Sequence, residues 1–272
     1  MSRALGVVAG TAALAGLALL ALGVLPVDLS PAAPVPPPAT ETLAVPLPPT
    51  PSPSQPSPPP SPSASPRPAP AVLRLPGPVP TRGSGIFEYA ATAGPVRGRS
   101  GTLLRYRVAV ERGAGEDIDE FGAVVDAALG HARSWTAGGL RMQRVPRGGP
   151  YNFTIHLATR ETAGRMCGAG GVDITVRGRP YTSCRVGGGV IINLDRWRLS
   201  VDHFVAAEVP LSLYRDYVVN HEVGHQLGHR HELCPGRGRP APVMMQQTLG
   251  LKGCTANPWP FVSGHRYAGP LK

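Results

Sequence analysis

From Pro31 to Pro80 about 20 of the chain's 33 prolines crowd together with Ser, Ala and Thr, as in "PLPPTPSPSQPSPPPSPSASPRPAP". That composition lacks the apolar side chains needed to build a core, so residues 28–82 are expected to form an extended, polyproline-like, disordered linker. Whatever folds must therefore lie after it. Residues 83–272, roughly 190 of them, suffice for one domain with a sizeable core.

Before the linker comes "ALGVVAGTAALAGLALLALGVL", an uncharged apolar run from Ala4 to Leu25 behind Arg3. As a helix it would extend about 33 Å at 1.5 Å per residue, enough for a bilayer. Residues 1–27 are thus either a single uncleaved membrane anchor or a signal peptide, with Ala21-Leu22-Gly23 as a small-x-small cleavage site. In both cases Arg3 and the terminal amine stay in the cytoplasm and the remainder is placed outside. The expected location is extracytoplasmic, membrane-anchored through the N-terminal segment if it is uncleaved, or secreted after cleavage.

The net charge of +10 comes almost wholly from arginine. Arg97, Arg105, Arg141, Arg165, Arg179, Arg196 and Arg215 are scattered, with no run of five, so a nucleic-acid partner is not expected. Affinity for anionic cell-envelope polymers suits the same charge. No internal repeat is apparent, and the chain is read as a monomer. The four cysteines, Cys167, Cys184, Cys234 and Cys254, allow three pairings, and in an exported domain they are expected to form two disulfides. Neighbour pairing, Cys167–Cys184 and Cys234–Cys254, closes the shortest loops. No CxxC occurs, which argues against a structural zinc site built on cysteine.

"TLLRYRVAVE" (102–111) alternates as a half-buried strand does. "DIDEFGAVVDAALGHARSW" places Ile118, Phe121, Val124, Val125, Ala128 and Leu129 at helical spacing, with Asp117 or Asp119 as N-cap. "YNFTIHLAT" and "GGGVIINLDRW" read as further strands, and "SLYRDYVVNHEVGHQL" as a late helix. Strands and helices in this order predict an α+β domain with a mixed sheet backed by helices.

That late helix runs into "NHEVGHQLGHRHELC" (220–234). His221 and His225 sit one turn apart on one face, with Cβ atoms about 5–6 Å from each other, so both imidazoles can reach one ion. Glu222, about 100° around the helix, lies beside the metal and can move a proton to and from water. A straight helix would place His229 about 12 Å along the axis from His221, too far for ligand nitrogens that must lie within roughly 3–4 Å of each other. Gly228 can end the helix with positive φ and return His231 to the metal. His229 is then expected to be a solvent-facing turn residue. Chance assembly of the whole pattern from this chain's His, Glu and Gly content is on the order of a few in 100,000.

The pattern His221-Glu222-x-x-His225-x-x-Gly228-x-x-His231 resembles the extended zinc motif of the metzincin metalloproteases. That resemblance implies a zincin domain with a long active-site helix, one catalytic Zn2+ held by His221, His225 and His231, and Glu222 as general base. "APVMMQQTLG" follows at a distance suited to the methionine turn of such enzymes, with Met244 as the turn methionine and Met245 as the alternative. Together with "RSW", "CRVGGGVIINLDRW", "YRDYVVN" and "NPWP", the motif is similar to a family of exported bacterial proteins of unknown function assigned to the metzincin-like metallopeptidases. The likeness covers most of 102–260. Glu232 after the third histidine resembles the astacin-like and serralysin-like branches, which place a tyrosine two residues after the turn methionine. Here that position is Gln246, leaving the tyrosine's duty to another residue such as Tyr267. No cysteine-switch prosegment is visible.

The function expected is an extracytoplasmic zinc metalloendopeptidase acting on a peptide or protein substrate. Two rivals use the same residues: a non-catalytic zinc-containing module that binds the cell envelope, and a zinc amidase acting on cell-wall material.

Overall fold

In the computed structural model, which describes residues 70–272, β1 (Phe87–Tyr89) pairs antiparallel with the end of β2 (Thr102–Glu111). α1 (Ile118–Gly130) follows. Its N-cap is Asp117, whose carboxylate accepts from the backbone N–H groups of Asp119 and Glu120 at 2.8 Å each. Phe121, Val125, Ala128 and Leu129 fall on one face and are buried, each worth about 1.5–3 kcal/mol for the larger side chains. A single 3-10 turn at Trp135–Gly138 leads to β3 (Leu140–Arg144) and β4 (Phe153–Ala158).

Beyond β4 come α2 (Arg160–Ala169), a short hairpin of β5 (Thr175–Val176) and β6 (Arg179–Pro180), β7 (Cys184–Val186) and β8 (Gly189–Asn193). α3 (Leu194–Leu199), α4 (Asp202–Ala206) and α5 (Leu211–Gln226) close the helical layer, and β9 (Phe261–Val262) pairs with β10 (His265–Arg266) near the C-terminus. The six-stranded sheet runs β1-β2-β4-β8-β7, with β3 joined to the first half of β2. β2, β3, β4 and β8 are parallel, while β1 and β7 are antiparallel edges. Parallel neighbours need crossovers, and the helices supply them: α1 between β2 and β3, α2 between β4 and β8. The domain is α+β with a mixed sheet.

α5 packs on α1, α3, β7 and β8. It buries Tyr214, Tyr217, Val218, Val219 and Val223, so the face that carries chemistry is pinned to the core rather than free to roll. Strand β8 is shorter than "GGGVIINLDRW" suggests. It stops at Asn193, whose side chain accepts from the Asp195 N–H at 3.0 Å and turns the rest of that stretch into α3. Residues 72–81, which composition assigns to the linker, are instead bonded along the domain. Leu75 N donates to Arg198 O (2.8 Å), Glu161 N to Thr81 O (3.0 Å) and Leu211 N to Val72 O (2.8 Å).

Cys167 is joined to Cys184 and Cys234 to Cys254. The first bridge ties α2 to edge strand β7, and the second joins the segment after His231 to the segment after Met245. Loops of this length give about 3 kcal/mol each in the chain-entropy account. Among the described residues no helix is long and apolar enough to cross a membrane. The apolar segment 1–27 and the linker up to residue 69 lie outside the described residues.

Candidate metal centre

α5 delivers His221 and His225 from consecutive turns, with ring centroids 4.8 Å apart and planes at 88°. The helix ends immediately after them. Gly228 adopts φ +93°, its N–H donates to His225 O (3.1 Å), and the His229 N–H reaches back to Gly224 O (3.0 Å). This pair of bonds is a Schellman termination, and the positive φ is what asks for glycine. The reversal brings His231 against the helix: its Nε2 lies 3.0 Å from His225 Nε2, and its ring stacks over His221 at 5.4 Å and 22°. One ligand nitrogen from each of the three histidines lies within 4.8 Å of the other two.

The donor chemistry fits a divalent metal. His221 Nδ1 is 2.7 Å from Val243 O and His225 Nδ1 is 2.8 Å from His229 O. A carbonyl only accepts, so both rings carry their proton on Nδ1 and keep the Nε2 lone pair for an ion. Burial lowers all three histidines below the usual imidazole range, His221 to about 3 and His231 to about 4, with the neighbouring His225 adding to both. They are neutral near pH 7, the form that ligates. A tetrahedral ion with bonds of about 2.0–2.1 Å needs its ligand nitrogens about 3.3 Å apart.

Glu222 stands beside this triad, only 4% exposed, and its Oε2 is buried without a hydrogen-bond partner. Burial pushes its carboxyl up to about 8. A buried acceptor left unmatched costs about 1–3 kcal/mol, so a fold that tolerates it at this position stores that cost beside the ligands. The triad and Glu222 form the floor of a cleft of about 350 Å³, walled by Val172–Ile174, Thr182–Arg185, Gln246, Thr248 and Leu249.

Near the three histidines, Met244 is fully buried, and a Cβ on Gly224 would overlap its Sδ and come within 2.7 Å of Trp135 Cζ2. Met244 therefore packs against the turn of α5 that separates His221 from His225, and Val243, just before it, supplies the carbonyl that orients His221. Met245 packs elsewhere, with Ala241 and Cys254. Several side chains sit differently from their sequence expectation. His229 is not solvent-facing but half-buried, stacked on Trp135 at 4.5 Å. Tyr267 donates to Pro240 O (2.9 Å) and does not line the cleft, so it does not stand in for the tyrosine missing at Gln246. Glu232 also stays out of the cleft. It binds Arg266 Nη2 (2.7 Å) and the Gly269 N–H (3.2 Å), fastening the C-terminal segment to the loop segment that carries His231.

Trp135 and Asn220 are the positioning residues that the motif does not announce. Trp135 Nε1 donates to Asn220 O (2.8 Å) and Ser134 Oγ to Asn220 Oδ1 (2.7 Å), locking the 3-10 turn to the helix one residue before His221. "RSW" was visible only as part of a resemblance, because its contact lies 85 residues downstream.

A family model described as a protein of unknown function, DUF3152, matches residues 74–257, about two thirds of the chain. The chain belongs to the DUF3152 family. The matched span holds the three histidines, Glu222, Met244 and both disulfides. It also begins inside the segment that runs along the domain ahead of residue 83, in keeping with the backbone bonds made there. Comparisons with curated proteins and with solved structures give no match.

Gly224 offers a direct check on the packing inside the DUF3152 domain. Alanine in a helix interior normally gains about 1 kcal/mol over glycine. Here the new methyl meets a rigid indole and a sulfur, and overpacking costs about 1–3 kcal/mol. Gly224→Ala should therefore lower the melting temperature by a few degrees, at roughly 2–4 °C per kcal/mol for a domain of this size. A rise in melting temperature would show that Met244 and Trp135 do not press on the helix.

Proposed function

We propose that this domain is a zinc-dependent metalloendopeptidase of the metzincin-like class, working outside the cytoplasm. One observation carries the reading: three neutral imidazoles converge beside a buried, unpartnered carboxyl oxygen on the floor of an open cleft. A zinc ion held by the three imidazoles would supply the Lewis acidity that activates water and polarises an amide carbonyl, and its charge would oppose the burial-driven rise of the Glu222 pKa.

The protein's own groups do the rest. Glu222 lines the cleft, so its carboxylate can accept a proton from water and return it to the leaving amine. The Val243 and His229 carbonyls fix the tautomers of His221 and His225. Peptide substrate is supported by the shape of the rim. The outer edge of β7 pairs with no strand among the described residues, and Cys184 and Arg185 of that strand line the cleft. An extended peptide can add to such an edge through its backbone and lie across the metal ligands. The Cys167–Cys184 bridge holds that edge to α2. A mixed sheet over one long ligand-bearing helix supports the zincin class, and two disulfides with no free cysteine among the described residues support an oxidising setting, consistent with an N-terminal anchor or signal segment.

A peptide-library digest with metal analysis tests the proposal. Cleavage should vanish with chelator and return with zinc. One equivalent of zinc with no peptide cut would favour the envelope-binding module instead, and release of a cell-wall amide without peptide cleavage would favour the amidase.

A further inference from the structure

We infer that a basic recess next to the metal cleft selects an acidic side chain of the peptide substrate; this rests on the metallopeptidase reading and extends it to substrate class. The recess, about 660 Å³, shares Thr248 and Leu249 with the cleft, so a substrate lying over the ligands passes directly beside it.

Four arginines from three separate elements converge there. Arg160 comes from α2, Arg196 from α3, and Arg177 and Arg179 from the β5–β6 hairpin. The hairpin turns through Arg177 and Gly178, both with positive φ (52° and 74°), between the paired residues Val176 and Arg179. This is the two-residue turn that suits tight hairpins, and it holds both arginines on one wall. Two aspartates share the recess, yet each is already engaged: Asp195 by Arg160 at 3.1 Å and Asp202 by Arg74 at 2.6 Å. Arg177 and Arg179 form no ion pair among the described residues. Arg196 is 7% exposed. Its Nη1 donates to Ser200 O (2.7 Å), its guanidinium lies 4.1 Å from the Tyr181 ring centroid, and its Nε is buried with no partner. A desolvated guanidinium with an unmet N–H is costly, and this one sits in the wall of the recess.

The acceptor that fits is a single carboxylate. Guanidinium forks match its two oxygens, and Arg177 and Arg179, which make no ion pair among the described residues, are available to form them.

The test uses the full zinc-loaded protein and peptides blocked at both ends, so that side chains alone supply carboxylates. Glu and Gln are exchanged at each position around the scissile bond. Cleavage is read as kcat/KM, and binding is read separately by fluorescence anisotropy on the Glu222→Gln variant. At one position Glu should be preferred over Gln by about tenfold or more in both readouts. In Arg177→Ala/Arg179→Ala that ratio should fall towards one, and in Arg177→Glu/Arg179→Glu it should fall below one, in favour of Gln. Equal use of Glu and Gln at every position, or a ratio untouched in the double variant, overturns the inference. So does displacement of the Glu peptide by inorganic phosphate at lower concentration than by glutarate. A Glu preference in binding with no cleavage of any peptide would remove the metallopeptidase reading and leave the recess standing; cleavage with no preference would do the reverse.

Discussion

Glu222→Gln should reduce kcat/KM for peptide cleavage by roughly 100- to 10,000-fold, the range that a positioned proton-transfer group contributes, while leaving zinc content unchanged. The substitution keeps the shape of the side chain and removes only its ability to take a proton. The three imidazoles are oriented by Val243 O, by His229 O and by the turn at Gly228, none of which involves Glu222, so metal binding has no reason to fall. Stability should hold or rise by about 1 kcal/mol, because the carboxyl is buried with an unpartnered oxygen and sites built for chemistry commonly carry such a cost. Zinc analysis, thermal melting and a peptide assay on one preparation separate these effects. A zinc-loaded Gln variant that cleaves within about twofold of the parent would remove Glu222 from the mechanism, since far more than that is expected of a general base.

The residues behind this prediction differ in how far the sequence discloses them. His221, His225 and Glu222 are fixed by helical register, and His231 by a glycine three residues before it; all of that is local, and local geometry is legible in a string. The carbonyl of Val243 has no side-chain signature, since any residue could offer it. Trp135 reaches Asn220 only after the chain has crossed the sheet. α2 was hidden for another reason: it buries little beyond Thr162, Ala163 and Cys167, too few apolar positions for a helical period to stand out. β8 was legible as a strand after a glycine turn, but the capping role of Asn193 that cuts it short was not. Likewise Arg160, Arg177, Arg179 and Arg196 look scattered in the sequence, and only the packing of α2, α3 and the hairpin makes them neighbours. Glu232 stood out by its place after the third histidine, and its use turned out to be an anchor for the C-terminal segment.

Removing the metal should produce the largest change in stability. A ligand at a thousand times its dissociation constant that binds only the folded state stabilises by about 4 kcal/mol. For a domain of this length that corresponds to roughly 8–16 °C in melting temperature between zinc-loaded and chelated protein. His231→Ala should abolish most of the difference, because two imidazoles on one helix remain but the turn no longer closes the site. Glu222→Gln should preserve it. An unchanged melting temperature on chelation would argue that the three histidines hold no ion. The dependence on concentration is equally informative. One site gives about 1.4 kcal/mol for each tenfold rise in free zinc above the dissociation constant. Loose binding to histidines of the unfolded chain acts in the opposite direction and flattens that slope. A full slope in the parent, lost in His231→Ala and kept in Glu222→Gln, assigns the ion to this triad and leaves the chemistry to Glu222.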